Sequence, residues 1–353
     1  MQLAAGVDPD PQKPLASPPT LCRLENRIDR PTLVKIADVL IQQFIDAHPQ
    51  PPEALILDLD ATDFTIHGHQ EDRFFHGYYD DYCYLPLYVT CGDELLVASL
   101  RPSNIDASRH ARAIVKLVVR RLRAVWPAVK ITIRADSGFC RWRLMRWCDR
   151  NDIGYVLGLA QNSVLRTLAR DELQWAEWLF ERTGQEQRLF GSFAYAAGTW
   201  DRRRRVIVKA EHTTRGANPR FVVTNVPGEA QELYEQVYCQ RGEAENRIKE
   251  QQLDLFADRT SCHRFLANQF RLLLCAMAYL LVQAVRRTAL VGTELAAAQV
   301  GTIRLKLLKV AARVVRSVRR VVFHLASSYP YQELFVHVFT RLKRCSECCA
   351  GFS

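Results

Sequence analysis

Three carboxylates in this chain stand where a folding protein has little reason to put them. Asp60 closes the run from Ala54, whose leucines and isoleucine read as a buried central strand. Asp136 closes a second β-rich run from Val129 and is followed by the turn-forming pair Ser137-Gly138. Glu245 lies in TyrCysGlnArgGlyGluAlaGluAsn (238 to 246), which is helical in composition. Ionised carboxylates are costly to desolvate, so two at strand ends and one on a helix predict a site that uses them. Hard oxygen donors suit divalent cations, and two Mg2+ ions held this way suit phosphoryl transfer. Asp58 shares a strand face with Asp60, because residues two apart point the same way, so spacing leaves either as the first ligand.

A helix advances about 100° per residue, which places Tyr238, Arg241, Glu245, Lys249 and Gln252 on one polar face. Glu243 and Glu250 fall on the other side. The same periodicity also fits a solvated surface helix with an ordinary pair between Glu245 and Lys249, worth a few tenths of a kcal/mol.

The elements that must position these residues can be read along the chain. Residues 31 to 45 place Leu33, Ile36, Val39, Leu40 and Phe44 on one helical stripe. Strands are predicted at 54–60, 82–90 and 94–100, the last two joined in a hairpin at Cys91-Gly92-Asp93. A helix over 108–126, capped by Ser108 and stopped by Pro127, precedes the Asp136 strand. A helix at 141–151 and a strand at 155–159 complete the order β, β, β, α, β, α, β, which matches an α/β, ribonuclease H-like core.

Domain boundaries follow. Residues 1–20 are Pro-rich and expected to be disordered, 21–50 form a short helical region, and 51–160 make the first part of the core. Residues 161–230 form a β-rich insertion with a helix at 163–182 and strands at 190–195, 205–210 and 220–226. The catalytic helix in 231–260 completes the core. A helical C-terminal region spans 261–335, with helices at 262–287 and 293–325, and 336–353 is a tail.

The formal charge of +10 and pI near 9.1 favour a polyanionic partner, nucleic acid first, because neutralised phosphates release condensed counterions. The cations cluster at Arg120 to Arg123, at Arg202 to Arg205, and from Arg304 through Arg320. With no secretory signal, and with eleven cysteines spread without regular spacing, a reducing cytoplasm is expected. Cys345, Cys348 and Cys349 are too few for an ordinary structural zinc site. The apolar stretch 272–285 is shorter than a membrane span needs and reads as a buried helix. No nucleotide-binding GxxxxGK[ST], HExxH or GxSxG motif is present. His67 and His69 suit a loop that contacts a substrate or supports Asp60 better than a site for hard cations. The six tryptophans read mostly as core, with Trp200, beside a run of arginines, the candidate for stacking on a base.

Resemblance sharpens these readings. Tyr238, Arg241 and Glu245 resemble the Y, R, E signature of the IS4-like DDE transposases, AspAlaThr (60 to 62) their first acidic motif, and ArgAlaAspSerGlyPhe (134 to 139) their second. The blocks LeuAspLeuAspAlaThrAsp (57 to 63), HisGlyHisGln (67 to 70), PheHisGlyTyrTyr (75 to 79) and GluAsnArgIleLysGlu (245 to 250) are similar to the IS1380 family of insertion-sequence transposases. The resemblance implies that Asp60, rather than Asp58, joins Asp136 and Glu245 as the catalytic, metal-binding triad for two Mg2+ or Mn2+ ions. It implies that Tyr238 and Arg241 hold DNA phosphates at transposon ends and target. Gln252 stands where the signature has Lys, with Lys249 on the same face as a substitute charge. It further implies a homodimer in a synaptic complex, with no membrane or nucleotide cofactor, in a bacterial cytoplasm and at the nucleoid when bound to DNA. The family's additional N-terminal helical region is expected to be missing, because ThrLeuCysArgLeuGluAsnArg (20 to 27) resembles its close. A truncated chain that only binds DNA or inhibits a full-length transposase is the alternative expectation.

Overall fold

The computed structural model describes residues 16–318 and 320–350. Most of the segment expected to be disordered lies outside these residues, but its last three begin a helix, α1 (Pro18–Arg27), where proline at the first turn forfeits no helical hydrogen bond. α2 (Arg30–Asp46) is capped by Asp29, which accepts from the Thr32 amide at 2.9 Å. Its apolar stripe is closed by Ile41 and Ile45, while Val39 is exposed.

The strands β1 (Ala54–Ala61), β2 (Phe64–Thr65), β3 (Phe74–His76), β4 (Asp81–Tyr84), β5 (Leu87–Cys91) and β6 (Glu94–Ser99) follow. The single strand expected over 82–90 is thus two. Pro86 lacks the amide a continuous ladder needs, and the chain steps there from a small sheet, β2-β4-β3, into the main one. The β5–β6 hairpin turns at Gly92, whose φ of +57° suits glycine.

Next come α3 (Ala111–Val125), β7 (Lys130–Ala135), α4 (Trp142–Arg150) and β8 (Gly154–Leu159). Ser108 does not cap α3. Its hydroxyl and amide both turn to Asp106, and His110, in the left-handed region at φ +66°, holds the cap position. The helix expected over 163–182 breaks at Ala169 into α5 (Ser163–Leu168) and α6 (Arg170–Thr183). On α6, Trp175 and Trp178 stack on each other and are exposed, not core.

β9 (Gln187–Tyr195), β10 (Arg204–Thr213), β11 (Gly216–Ala217) and β12 (Arg220–Thr224) then join the main sheet, because β12 pairs antiparallel with β8. The nine-stranded sheet runs β11-β10-β12-β8-β7-β1-β5-β6, with β9 on β10. β1, β7 and β8 are mutually parallel, and β1, β5 and β6 form an antiparallel meander.

α7 (Ala230–Glu232) leads through a wide π-helical turn, Leu233–Tyr238, into α8 (Arg241–Lys249), and a second π turn, Glu250–Asp254, follows. α9 (Phe265–Thr288) is by length and composition the one described helix apolar enough to cross a membrane, yet it packs Leu272, Leu273, Ala276 and Tyr279 into the core. The expected helix over 293–325 is corrected. Among the described residues of that range only α10 (Val300–Ile303) and a π turn to Leu308 are helical, and a hairpin of β13 (Ala312–Ser317) and β14 (Arg320–Leu325) follows. Five valines between 314 and 322 explain this, since β-branching restricts χ1 in a helix and packs well on a pleated strand. α11 (Gln332–Ala350) ends the described chain, and the side chains of Cys345, Cys348 and Cys349 lie outside the described residues.

Alternation along β1 decides which face meets which layer. Leu55, Leu57 and Leu59 join the cluster built with α3 and α4. Asp58 and Asp60 therefore point to the opposite face, toward α8, whose Ile248 packs with α9 in a second cluster.

Candidate active site

Parallel pairing of β1 with β7 brings two of the three carboxylates to one edge. Leu59 stands opposite Ala135, so Asp60 and Asp136 are the next residues on adjacent parallel strands, at the carboxyl ends where open α/β sheets bind ligands. Each acid is held by local backbone. The Ala61 amide donates to Asp60 at 2.9 Å, and the Gly138 amide donates to Asp136 at 2.9 Å as the chain turns after β7.

Asp58 is otherwise engaged. It is 3% exposed, and Arg134 donates to both of its oxygens, Nε at 2.5 Å and Nη2 at 2.7 Å. The remaining Nη1 donates to the Val237 carbonyl at 2.5 Å. One buried guanidinium thus ties β1 and β7 to the turn that leads into α8. Asp60 is left as the strand acid facing the other candidates.

α8 delivers Arg241 and Glu245. Arg241 Nη1 stands 3.7 Å from Asp60 Oδ2, and Nη2 bonds Glu245 Oε1, so a single cation bridges the two acids. Burial pushes the Asp60 carboxyl up to about 7, with Asp136 and Glu245 adding to the rise while Arg241 opposes it. The site holds more carboxylate than one arginine offsets. Tyr238 reaches the same place from the π turn. Burial raises its phenol, and both Asp136 and Arg241 act on it. Its hydroxyl lies over Gly158 of β8, where a Cβ would meet Tyr238 Oη at 2.5 Å and the Ser137 amide at 2.9 Å.

Asp60, Asp136, Tyr238, Arg241 and Glu245 are therefore neighbours. Gln252 lies beside them, its amide donating to Thr62 Oγ1 at 3.4 Å and the Asp63 carbonyl at 3.3 Å. Lys249 is exposed on α8. Glu243 is exposed as well, and Glu250 is buried against Arg247, Arg286 and the Val300 amide. Among the described residues no group of three His, Cys, Asp or Glu side chains gathers closely enough to hold a metal ion, and Glu245 is paired with Arg241. The donor set itself fits a hard cation. It consists of carboxylate oxygens around Asp60, an acid whose carboxyl burial pushes up.

Three contributors were not singled out from sequence. Arg134 on β7 stands two residues before Asp136 and opposite Asp58 in the strand register. Gly158 is set by a close approach that spacing does not reveal. Tyr79, in a block quoted above only for its resemblance, has its phenol pushed up to about 12 by burial, with Asp63 and Asp60 adding to the rise. The loop of His67, His69 and Gln70 is tied to the segment before α9, Gln70 donating to the Thr260 carbonyl at 2.9 Å. With Thr62, Asp63 and Gln252 it lines a cavity of about 550 Å3 beside the site. Trp200 packs on Tyr195 and beneath Arg204.

Paired strand-end acids faced by an acid-bearing helix define a site suited to phosphoryl chemistry. Residues 1–347 match the sequence model described as transposase DDE domain group 1, and the chain belongs to that family. No curated protein matches the chain. Among solved structures, the piggyBac transposase synaptic complex with hairpin DNA is 12% identical, over 73% of this chain and 54% of that chain, with a TM-score of 0.40. That likeness is too distant to argue from, and this chain spans little more than half the length of that one.

Proposed function

We propose that this chain is a metal-dependent DNA transposase that cuts phosphodiesters at transposon ends and transfers the freed strand to target DNA. The observation that carries the reading is the in-register placement of Asp60 and Asp136 at adjacent strand ends, with Glu245 brought against Asp60 through Arg241. Asp60, Asp136 and Glu245 would hold Mg2+ or Mn2+, which when bound supplies charge neutralisation at the reacting phosphate.

Cleavage is attack of a water oxygen on phosphorus with departure of the 3′-oxygen, which leaves a 3′-hydroxyl and a 5′-phosphate. Strand transfer repeats the exchange with that 3′-hydroxyl as nucleophile. One phosphodiester bond forms as one breaks, so no nucleotide energy source is required. Arg241 has two nitrogens at the reacting edge and suits a bidentate phosphate contact once a cation takes over the carboxylates. Tyr238, Lys249 and Gln252 flank it as further DNA contacts.

The finer assignments belong to the same reading. The strand order β6-β5-β1-β7-β8 supports a ribonuclease H-like core made of 51–160 and 231–260, and the motif blocks support an IS1380-like subgroup. A homodimer acting on double-stranded DNA, in the cytoplasm and at the nucleoid, completes it.

Labelled DNA incubated with Mg2+ or Mn2+ tests the proposal. Nicking is expected from the parent chain and is lost in Asp136→Ala. Nicking that survives that substitution removes the triad.

A further inference from the structure

A cavity of about 370 Å3 opens between the first turns of α3 and α4, and Arg109, His110, Arg112, Phe139, Arg141 and Arg143 are among the residues that line it. No acid lines it. Arg141 is paired with Asp106, whose carboxylate accepts from its Nη2 at 2.5 Å and also from Ser108. Arg109, Arg112 and Arg143 are exposed and have no ion pair among the described residues; the Arg143 guanidinium lies 5.4 Å from the centre of the Trp142 ring. Three uncompensated cations around one concavity concentrate positive potential there.

Strand direction sets this cavity at the acidic edge. β5 runs antiparallel to both β1 and β6, and β7 runs parallel to β1, so β1, β6 and β7 all end on one side of the sheet. α3 follows β6 and α4 follows β7, and both start on the side where Asp60 and Asp136 stand. The approach to α3 touches the Asp136 turn: a Cβ on Gly138 would lie 3.1 Å from Asp136 Oδ1 and 3.7 Å from the Ala107 Cβ. Arg101, 2% exposed, fixes that approach by donating through Nη1 to the Ala107 carbonyl at 2.8 Å and the Arg109 carbonyl at 2.6 Å. Neither helix has an acid in its first turn or a side-chain cap, so their dipoles add to the arginines.

We propose that this cavity seats a backbone phosphate of double-stranded DNA lying across the acidic edge. The inference rests on the reading of the chain as a DNA-acting protein and adds a contact on α3 and α4, which carry none of the DNA contacts assigned above. Chemistry and exposure support it. Guanidinium groups match phosphate oxygens two at a time, and a rim of exposed arginines leaves room for a strand to continue on either side. Such cations also gain from releasing the counterions of DNA.

The test uses the full chain in EDTA and a labelled random-sequence DNA duplex, read by fluorescence anisotropy across a salt series. Arg109→Ala with Arg112→Ala is expected to weaken binding by about tenfold near 0.15 M salt and to make the log–log salt slope shallower by about 2. Arg109→Lys with Arg112→Lys keeps the slope. Ala113→Glu, exposed in the first turn of α3, separates binding from folding: an acid there favours the helix, so stability to urea is held or raised while DNA binding weakens. Hydrogen exchange gives a local readout. The duplex slows exchange of the amides of 111–113 and 142–144 in the parent chain and not in the alanine pair, and inorganic phosphate at equal concentration does not slow it. Unchanged affinity and slope in both the alanine pair and Ala113→Glu overturn the proposal, as does a duplex that leaves those amides unprotected. Equal protection by inorganic phosphate makes the cavity a site for free anions and overturns the assignment to DNA. Nicking by the parent chain with Mg2+ is read separately: nicking without protection removes this phosphate seat alone, and protection without nicking removes the triad alone.

Discussion

Gly158 shows how little room the site leaves. β8 passes so close to the turn after Asp136 that any Cβ would press on the Tyr238 hydroxyl and the Ser137 amide. Tyr238 can reach Asp136 and Arg241 only because this position carries no side chain. Gly158→Ala is therefore expected to cost about 1–3 kcal/mol by overpacking and to reduce nicking by displacing Tyr238. Urea unfolding and the nicking assay check this together. A variant as stable and as active as the parent would mean that Tyr238 has slack which the structure does not show. Glu245 illustrates the converse. Its spacing from Tyr238 and Arg241 was legible, but its capture by Arg241 was not, because a helix phase states direction and not partners.

At the level of elements, the buried pair of Asp58 and Arg134 holds strands and helix in one geometry. Both are nearly inaccessible, with side chains 3% and 8% exposed, and the third donor of Arg134 fixes the Val237 carbonyl just before Tyr238. Removing one partner strands a buried charge, so Asp58→Asn or Arg134→Met is expected to cost about 3–5 kcal/mol in urea unfolding. The double change Asp58→Leu with Arg134→Met should recover much of that stability, since apolar replacements of a buried pair are often neutral. Nicking should stay low, because the hydrogen bond from Arg134 to the Val237 carbonyl, next to Tyr238, is then gone. Full nicking in a stable double variant would show that the tie is dispensable. Helix phase at 100° per residue also meets its limit here, since π turns on both sides of α8 shift the registry. Gln252 still reaches Thr62, but by way of a wider turn than an α-helix provides.

Across the whole molecule, one sheet runs from the acidic edge into the strands of 161–230, with no gap between β8 and β12. Ile207 and Val222 from those strands share a buried cluster with Val156 of β8 and with Leu233 and Tyr234, the start of the turn that carries Tyr238. The β-rich segment is thus packed against the turn that leads into α8. Ile207→Ala is expected to cost about 2–5 kcal/mol and to raise protease sensitivity both within 161–230 and around residue 230. Cleavage confined to 161–230, with undiminished nicking, would show that the two regions are mechanically independent.

What the sequence determined by itself was local: strands that end in acids, the order of the main-sheet strands and their helices through β8, a helical run bearing Tyr238, Arg241 and Glu245, and a cationic chain. These follow from periodicity, turn chemistry and charge, which act between near neighbours. The tertiary structure decided what depends on distant segments meeting. It set Asp60 beside Asp136 through strand register, gave Asp58 to Arg134 and Glu245 to Arg241, placed Gly158 under Tyr238, and carried the strands of 161–230 into the main sheet. It also turned a valine-rich cationic run into a ribbon, where β-branched packing prevailed over a helical periodicity. Those outcomes rest on pairing and burial between residues far apart in the chain, and no spacing within a single segment encodes them.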